Sequence, residues 1–221
     1  MTSRSYRQFC GIARALDLVG ERWALLVVRE LILGPKRFTD LLNSLPGIGT
    51  NILSSRLKQL EQGGVVRRHT LPPPAASTVY ELTEYGKELE EILLAFGRWG
   101  ARSMGMRKPE QVLKPEWLAV ALRAYAHGDA AEGVRETYEL RLGGSSFHAR
   151  IDDGAVKVEN GPAPAPDLLL ETDEETLMAL LTGMVDPAEA RAAETLRIVG
   201  DEEALARLIG IFRFPQPEAM G

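Results

Sequence analysis

The amino-acid sequence predicts an α+β fold of two units: a mainly helical N-terminal unit with one short hairpin, and a C-terminal unit with an antiparallel sheet and helices. Apolar residues recur at helical spacing through residues 1–104, whereas period-two strand patterns alternate with helices in residues 116–213. Between them, residues 105–115 combine Gly, Pro and charge without periodicity, which is typical of a linker. The net charge also differs between the two halves of the chain. Residues 1–108 hold 16 Lys and Arg against 10 Asp and Glu (net +6), and residues 109–221 hold 10 against 21 (net −11).

The composition bounds the class of protein. Of the 221 residues, 45% are hydrophobic and 26% are charged, which is ordinary for a globular chain. The sequence contains neither a membrane-spanning apolar run nor a signal-peptide pattern, so we expect a cytoplasmic protein with no membrane contact. The single cysteine, Cys10, excludes an intrachain disulfide framework. The basic excess of the N-terminal half favours a polyanionic partner.

Four helices are predicted in the N-terminal unit besides the one treated next. The first carries Ile12 and Leu16 at helical spacing. The second, residues 21–34, is apolar nearly all round, which predicts a buried central helix. The third, residues 38–45, is short and is stopped by a Pro-Gly pair. The last, residues 83–104, is long and amphipathic.

The helix predicted over residues 50–62 has two chemically different faces. One face holds Ile52, Leu53, Leu57 and Leu60. The opposite face is a polar stripe without a carboxylate, formed by Asn51, Ser55, Lys58 and Gln62. Such groups can hydrogen-bond base edges, so the stripe predicts reading of DNA bases by a helix-turn-helix. A solvated surface helix shows the same pattern, and the helix taken alone leaves the two interpretations even.

A basic hairpin after this helix favours the DNA interpretation. Arg67, Arg68 and His69 lie on its first strand, and three prolines stiffen its tip. Such a hairpin is a wing that lies along the phosphate backbone or the minor groove, and the whole is a winged helix-turn-helix. The residues predicted to contact the DNA backbone are Lys36, Arg37, Thr50, Ser54, Arg67, Arg68 and His69.

The ordered motifs CGIARALDLVGERWALLVVRELILGPKRFTDLL, LPGIGTNILSSRLKQLEQGGVVRR and VYELTEYGKEL resemble the HxlR family of bacterial winged-helix transcription regulators over residues 6–104. The resemblance implies a homodimer built from the first helix and the long helix. Where the family often has Ser before the recognition helix, this chain has Gly49. Family members often carry a cysteine at the position of Cys10, which is either a redox switch or a small residue at the dimer contact. The implied dimer contacts are Ile12, Leu16, Leu93, Phe96 and Trp99.

The acidic C-terminal unit resembles the SCP2-like (sterol carrier protein type 2) fold over residues 115–212. The strands YELRL and SFHARID and the patterns DEETLMALLTG and GDEEALARL carry this resemblance. It implies an apolar tunnel and a lipid-like or other apolar effector; the alternative is a purely structural or dimer-supporting domain. The residues predicted to line the tunnel are Leu140, Ile151, Leu177, Leu181, Leu205 and Phe212.

The patterns predict a DNA-binding protein, and the resemblance implies a homodimeric transcription regulator that reads an inverted repeat in double-stranded DNA. No Ser-His-Asp arrangement, phosphate-binding loop or metal-ligand spacing occurs in the sequence, so we expect no enzyme activity, cofactor or metal. An alternative is a carrier or enzyme-like protein for an apolar ligand, whose winged helix mediates protein contacts. We predict domains at 1–104 and 116–213, and a flexible tail at 214–221.

Overall fold

The computed structural model describes residues 5–216, which form two compact units, one reaching to Leu93 and the other beginning at Leu94. The first unit and the helix that leaves it contain six helices and one hairpin within the described residues. In chain order these are α1 (Gly11–Val19), α2 (Ala24–Ile32), α3 (Phe38–Ser44), α4 (Thr50–Gln62), β1 (Val66–Thr70), β2 (Thr78–Leu82), α5 (Glu84–Lys87) and α6 (Leu89–Ala101).

The central helix α2 is buried as predicted, with Val27, Val28 and Leu31 among the core of the first unit. The predicted long helix over 83–104 is instead two helices, α5 and α6. Gly86 in α5 lies so close to the preceding chain that a Cβ built there would be 2.0 Å from the Val65 carbonyl oxygen. This approach of α5 to the start of β1 depends on a residue without a side chain.

A buried carboxylate ties α2 to the segment that precedes α3. Glu30 is 2% exposed, and its two oxygens lie 2.7 Å from Arg29 Nη2 and 2.7 Å from Lys36 Nζ. Burial acts to raise the pKa of the Glu30 carboxyl, but attraction and hydrogen bonds from Lys36 and then Arg29 outweigh it, so the pKa is lowered. The backbone of Lys36 exchanges hydrogen bonds of 3.0 and 2.8 Å with Tyr80 in β2. Glu30 therefore helps to fix the hairpin to the core.

The second unit builds a five-stranded sheet with helices from its described residues. Its elements are α7 (Pro115–Ala124), a 3₁₀ turn (Asp129–Ala131), β3 (Arg135–Leu142), β4 (Ser145–Asp152), β5 (Ala155–Asn160), β6 (Leu168–Thr172), α8 (Glu174–Thr182), α9 (Pro187–Ala192), β7 (Leu196–Gly200) and α10 (Glu202–Ile211). Helix α7 packs against β4 and β5, and α10 packs against β6. The short helix α9 is absent from the sequence-based prediction.

The sheet corrects one part of the predicted fold class. Its order is β5-β4-β3-β6-β7, and β3 and β6 run parallel, so the sheet is mixed rather than purely antiparallel. Alternation of apolar residues reveals a strand but not its direction, which explains the error. Residues 161–167 carry the chain from β5, at the edge of the sheet, to β6, which lies beside β3. In this segment Ala163 N–H donates to the buried Glu139 carboxylate at 2.9 Å. That bond anchors the crossover to β3.

The predicted linker and tail correspond only in part to the structure. Residues 102–114, which include most of the predicted linker, contain neither helix nor strand. The division between the compact units falls inside α6. Phe214 departs from the predicted flexible tail: it is 5% exposed, its ring centroid lies 4.9 Å from that of Tyr125, and its N–H donates to Leu181. The last five residues of that tail, 217–221, lie outside the described residues. Within residues 5–216 no helix combines the length and apolarity needed to cross a membrane.

Candidate nucleic-acid interface

Helix α4 presents the polar stripe to solvent. Leu53, Leu57 and Leu60 are buried in the core of the first unit, and the opposite side of the helix is exposed. Ile52, which the sequence places on the apolar face, is 43% exposed and marks its edge. The exposed residues of α4 include the whole predicted stripe, which is Asn51, Ser55, Lys58 and Gln62. Helical periodicity therefore located this face correctly.

The N-terminus of α4 leaves its first-turn N–H groups available. Gly49 is the N-cap residue, and no side chain in the described part of the chain caps the helix there. The first turn holds no acidic residue, and Thr50 and Ser54 are exposed beside it. A helix N-terminus carries partial positive charge and free N–H donors, both of which suit a phosphate group.

Arg56 locks α4 to the connection between α1 and α2. Its Nε donates to the Arg22 carbonyl oxygen at 2.9 Å, and its Nη2 lies 3.1 Å from Glu21 Oε2. Most of the Arg56 side chain is covered, so this cation positions the helix rather than meeting solvent. The sequence pattern gives no sign of this positioning role, because residues 21 and 56 are brought together only by packing.

The wing, formed by β1, β2 and the loop 71–77, holds its two arginines in different surroundings. Arg67 stands directly opposite Glu81 and forms an ion pair with it. Arg68 stands opposite Tyr80, is exposed, and has no carboxylate partner within residues 5–216. His69 is half-buried, with Nδ1 3.5 Å from Glu81 Oε1. Pairing the residues of the hairpin outward from its proline loop places Glu81 opposite Arg67, so the sequence alone could have revealed this ion pair.

Arg37 and Lys36, which are also predicted to contact the DNA backbone, differ in exposure. Arg37 is exposed just before α3, and its backbone N–H donates to Asp40 at 3.0 Å. Lys36 is only 16% exposed, because its ammonium group pairs with Glu30. The structure thus gives Lys36 an internal partner that the sequence analysis did not foresee.

The residues predicted to form a dimer contact carry apolar side chains at the surface. Ile12 and Leu16 are exposed on α1. Helix α6 buries none of its side chains within the described part of the chain, and its Phe96 and Trp99 rings stack at 5.7 Å with 56% and 68% exposure. Leu93 is half-buried. Large exposed apolar side chains on consecutive turns are typical of a protein interface.

Cys10 is exposed and occupies the N-cap position of α1. The nearby backbone N–H groups of Ala13 and then Ile12 lower the pKa of its thiol. The thiolate is the reactive form of cysteine, so this position favours reactivity. The geometry is compatible with both interpretations of Cys10 given above.

The six residues predicted to line an apolar tunnel are all buried in the second unit, between 0% and 5% exposed. Ile151 also borders a shallow cleft of about 210 Å³ where β3 begins and β4 ends. The cleft is mostly charged, unlike the predicted tunnel. It could not be predicted from local sequence patterns, because three separate segments form it. Its lining residues are Arg135, Glu136, Thr137, Arg150, Ile151, Asp152 and Asp167.

A recognition helix with an exposed polar face, followed by a basic wing, defines a winged helix-turn-helix protein of the DNA-binding class. Comparison with known proteins gives the family. The family model described as HxlR-like helix-turn-helix matches residues 18–108, and the SCP-2 sterol transfer family matches residues 119–213. The chain belongs to the HxlR-like transcription regulators and carries a C-terminal SCP2 domain. The predicted family, domain type and mixed helix-and-sheet class are therefore confirmed.

Several curated relatives of the chain are bacterial proteins. An uncharacterised HTH-type transcriptional regulator of Synechocystis sp., sll1512, is 38% identical over 92 residues, which are 42% of this chain and 68% of the relative. The HTH-type transcriptional regulator YodB of Bacillus subtilis is 38% identical over 85 residues, 38% of this chain and 76% of the relative. The solved reduced form of YodB is 34% identical, covers 44% of this chain and 96% of its own, and superposes with a TM-score of 0.39.

Proposed function

We propose that the chain acts as a homodimeric transcription regulator that reads an inverted repeat and responds to an apolar effector in its C-terminal unit. The observation that carries the proposal is the geometry of α4. Its polar stripe is exposed opposite three buried leucines, and a basic wing follows it in the chain. Membership of a regulator family supports the same conclusion.

Each side chain of this surface has a role that fits its chemistry. Asn51, Ser55, Lys58 and Gln62 read base edges in the major groove, since amide, hydroxyl and ammonium groups match the donors and acceptors there. The N-terminus of α4, with Thr50 and Ser54, receives a phosphate. Arg37 and Arg68 supply exposed positive charge for the flanking backbone, while Arg67 pairs with Glu81 and His69 lies beside that carboxylate.

Dimerisation follows from the uncovered apolar faces. Ile12 and Leu16 on α1, and Leu93, Phe96 and Trp99 on α6, form the contact between two copies in this proposal. Burying such side chains against a second copy removes apolar area from water, and the aromatic pair provides the anchors that interfaces favour. A twofold dimer then presents two α4 helices to half-sites about one helical turn apart, ~34 Å or a multiple.

The effector site is assigned to the second unit because this unit is an SCP2 domain. The six buried apolar residues offer an apolar ligand contact without a charged anchor. Binding regulates only if the ligand favours one dimer geometry over another, since coupling requires differential affinity. Helix α6 belongs partly to each unit, which makes it the route of coupling in this proposal.

Footprinting of genomic fragments with the purified full chain, with and without an apolar cell extract, tests the proposal. We expect protection of an inverted repeat and a change of affinity of about 5- to 150-fold on addition of the effector. Analytical ultracentrifugation of the same sample should give a dimer. Protection of a single asymmetric half-site by a monomer would rule out the dimeric mode. A footprint that ignores every extract fraction would leave the second unit a structural role.

A further inference from the structure

The wing places a carboxylate where DNA phosphates are expected. Glu81 lies on β2 directly across from Arg67, and both Nε and Nη2 of Arg67 contact Glu81 Oε1. Its side chain is 19% exposed, whereas that of Arg67 is 65% exposed. The pair therefore keeps its acidic member partly covered and its basic member at the surface.

Arg67 cannot bind a phosphate fully while Glu81 holds it. Glu81 offsets part of the positive charge of Arg67, and a phosphate that approaches the guanidinium meets the repulsion of a carboxylate. Glu81 also faces His69, whose Nδ1 is 3.5 Å from the same oxygen. Arg68, the next residue on β1, has no such partner among the described residues and keeps its charge available.

We propose that Glu81 sets the DNA affinity of the wing by competing with phosphate for Arg67. In the free protein Glu81 occupies the guanidinium, and on DNA the wing gains its backbone contact chiefly from Arg68. The chain thus binds duplex DNA less tightly, and with a weaker salt dependence, than its count of basic residues suggests. This inference rests on the proposed docking of the wing on DNA.

The number of phosphates engaged can be counted from the salt dependence of binding, because each contact adds about 0.9 to the slope of log K against log salt. The probe is a labelled 30-base-pair duplex of mixed sequence, since backbone contacts do not depend on sequence. The full chain is compared with Glu81→Gln, Arg67→Gln, Arg68→Gln and the Glu81→Gln/Arg67→Gln double variant. Thermal unfolding verifies that each variant is folded.

We expect Glu81→Gln to steepen the slope by about 0.9 and to tighten binding about three- to tenfold at low salt, because Arg67 is released. Arg67→Gln alone should change the slope little, and the double variant should lose the steepening. Arg68→Gln should flatten the slope by about 0.9. The matched control is Glu88→Gln, which removes the same charge from an exposed carboxylate at the end of α5. Its slope should equal that of the unmodified chain.

Three results would overturn the inference. An unchanged slope in Glu81→Gln, with a flattened slope in Arg68→Gln, would show that Arg67 is not held back. Weaker binding by Glu81→Gln would show that Glu81 orients Arg67 toward DNA instead of competing for it. Equal steepening in Glu88→Gln would show that the effect comes from the net charge of the chain and not from release of Arg67. If Arg68→Gln also changed nothing, the wing would not lie on DNA and the proposed binding mode itself would fail.

Discussion

The two units of this chain treat their candidate functional residues in opposite ways. The first unit buries one face of α4 and leaves the polar stripe and the wing in solvent. The second unit buries all six residues predicted to meet a ligand. An exposed polar face is distinct from the core that supports it, whereas an apolar ligand site and an apolar core have the same composition. Amphipathic patterning therefore separates the proposed DNA-binding face from its supporting core, but it does not separate the proposed effector site from the core around it.

The largest expected effect tests whether the buried residues of the second unit form a core or a ligand site. Leu181→Ala should lower the free energy of unfolding by about 2–5 kcal/mol, since it deletes a buried side chain. Under the proposed function, Leu181→Trp should cost less than about 1 kcal/mol and abolish the response to effector, because the indole occupies the proposed ligand space. Denaturant unfolding and DNA binding with and without extract measure both variants. A loss above about 3 kcal/mol for Leu181→Trp would indicate a close-packed core.

A buried charge in the first unit gives the next largest effect. Lys36→Met removes a cation that pairs with the buried Glu30 and leaves the pair with Arg29. This change should lower the free energy of unfolding by about 3 kcal/mol. The folded-state pKa of Glu30 is lowered, so its contribution is present above the unfolded pKa and is lost as pH falls through the folded pKa.

The stability difference between the unmodified chain and Lys36→Met should therefore shrink in acid below the ordinary glutamate range. Denaturant unfolding at a series of pH values measures it. Arg37→Gln is the matched control, because it removes an adjacent exposed cation and should change stability little. A difference that stayed constant down to pH 2 would contradict the assigned role of the Glu30 ion pair.

The exposed apolar face of α6 gives a third test. Trp99→Ala should weaken the proposed dimer by about 2 kcal/mol or more, because buried tryptophans are frequent anchors of interfaces. Sedimentation equilibrium measures the dimer dissociation constant. Glu91→Ala changes an exposed polar position of the same helix and should leave that constant unaltered. Equal dissociation constants for Trp99→Ala and the unmodified chain would remove α6 from the interface.

The smallest effect separates base reading from backbone binding within the first unit. Asn51→Ala should reduce discrimination between operator and mixed-sequence DNA by about 1–3 kcal/mol while nonspecific binding stays nearly constant. Arg68→Gln should weaken both DNAs alike. Competition binding to the two duplexes measures the ratio. Loss of sequence preference in Arg68→Gln, with none in Asn51→Ala, would reverse the assigned roles.

Local patterns in the sequence were enough to predict α4, its outward stripe and the strands of the wing. Helical and strand periods depend on neighbours a few residues apart, and burial of one face follows from the apolar residues on it. The Pro-Gly pair that ends the third helix acts over a similar distance. Family resemblance added the two domain types, which the comparisons confirmed.

Tertiary structure alone decided which charges are available and how the strands are ordered. Lys36 and Arg56 read as ordinary basic residues in the sequence, yet each is held by a carboxylate that packing brings to it. The parallel pairing of β3 with β6 joins segments about 30 residues apart. Periodicity carries no information on strand direction or on a distant partner, because both depend on how the whole chain closes around its core. The sequence therefore determined the faces of the elements, and the packing of the chain determined which of their charges remain free.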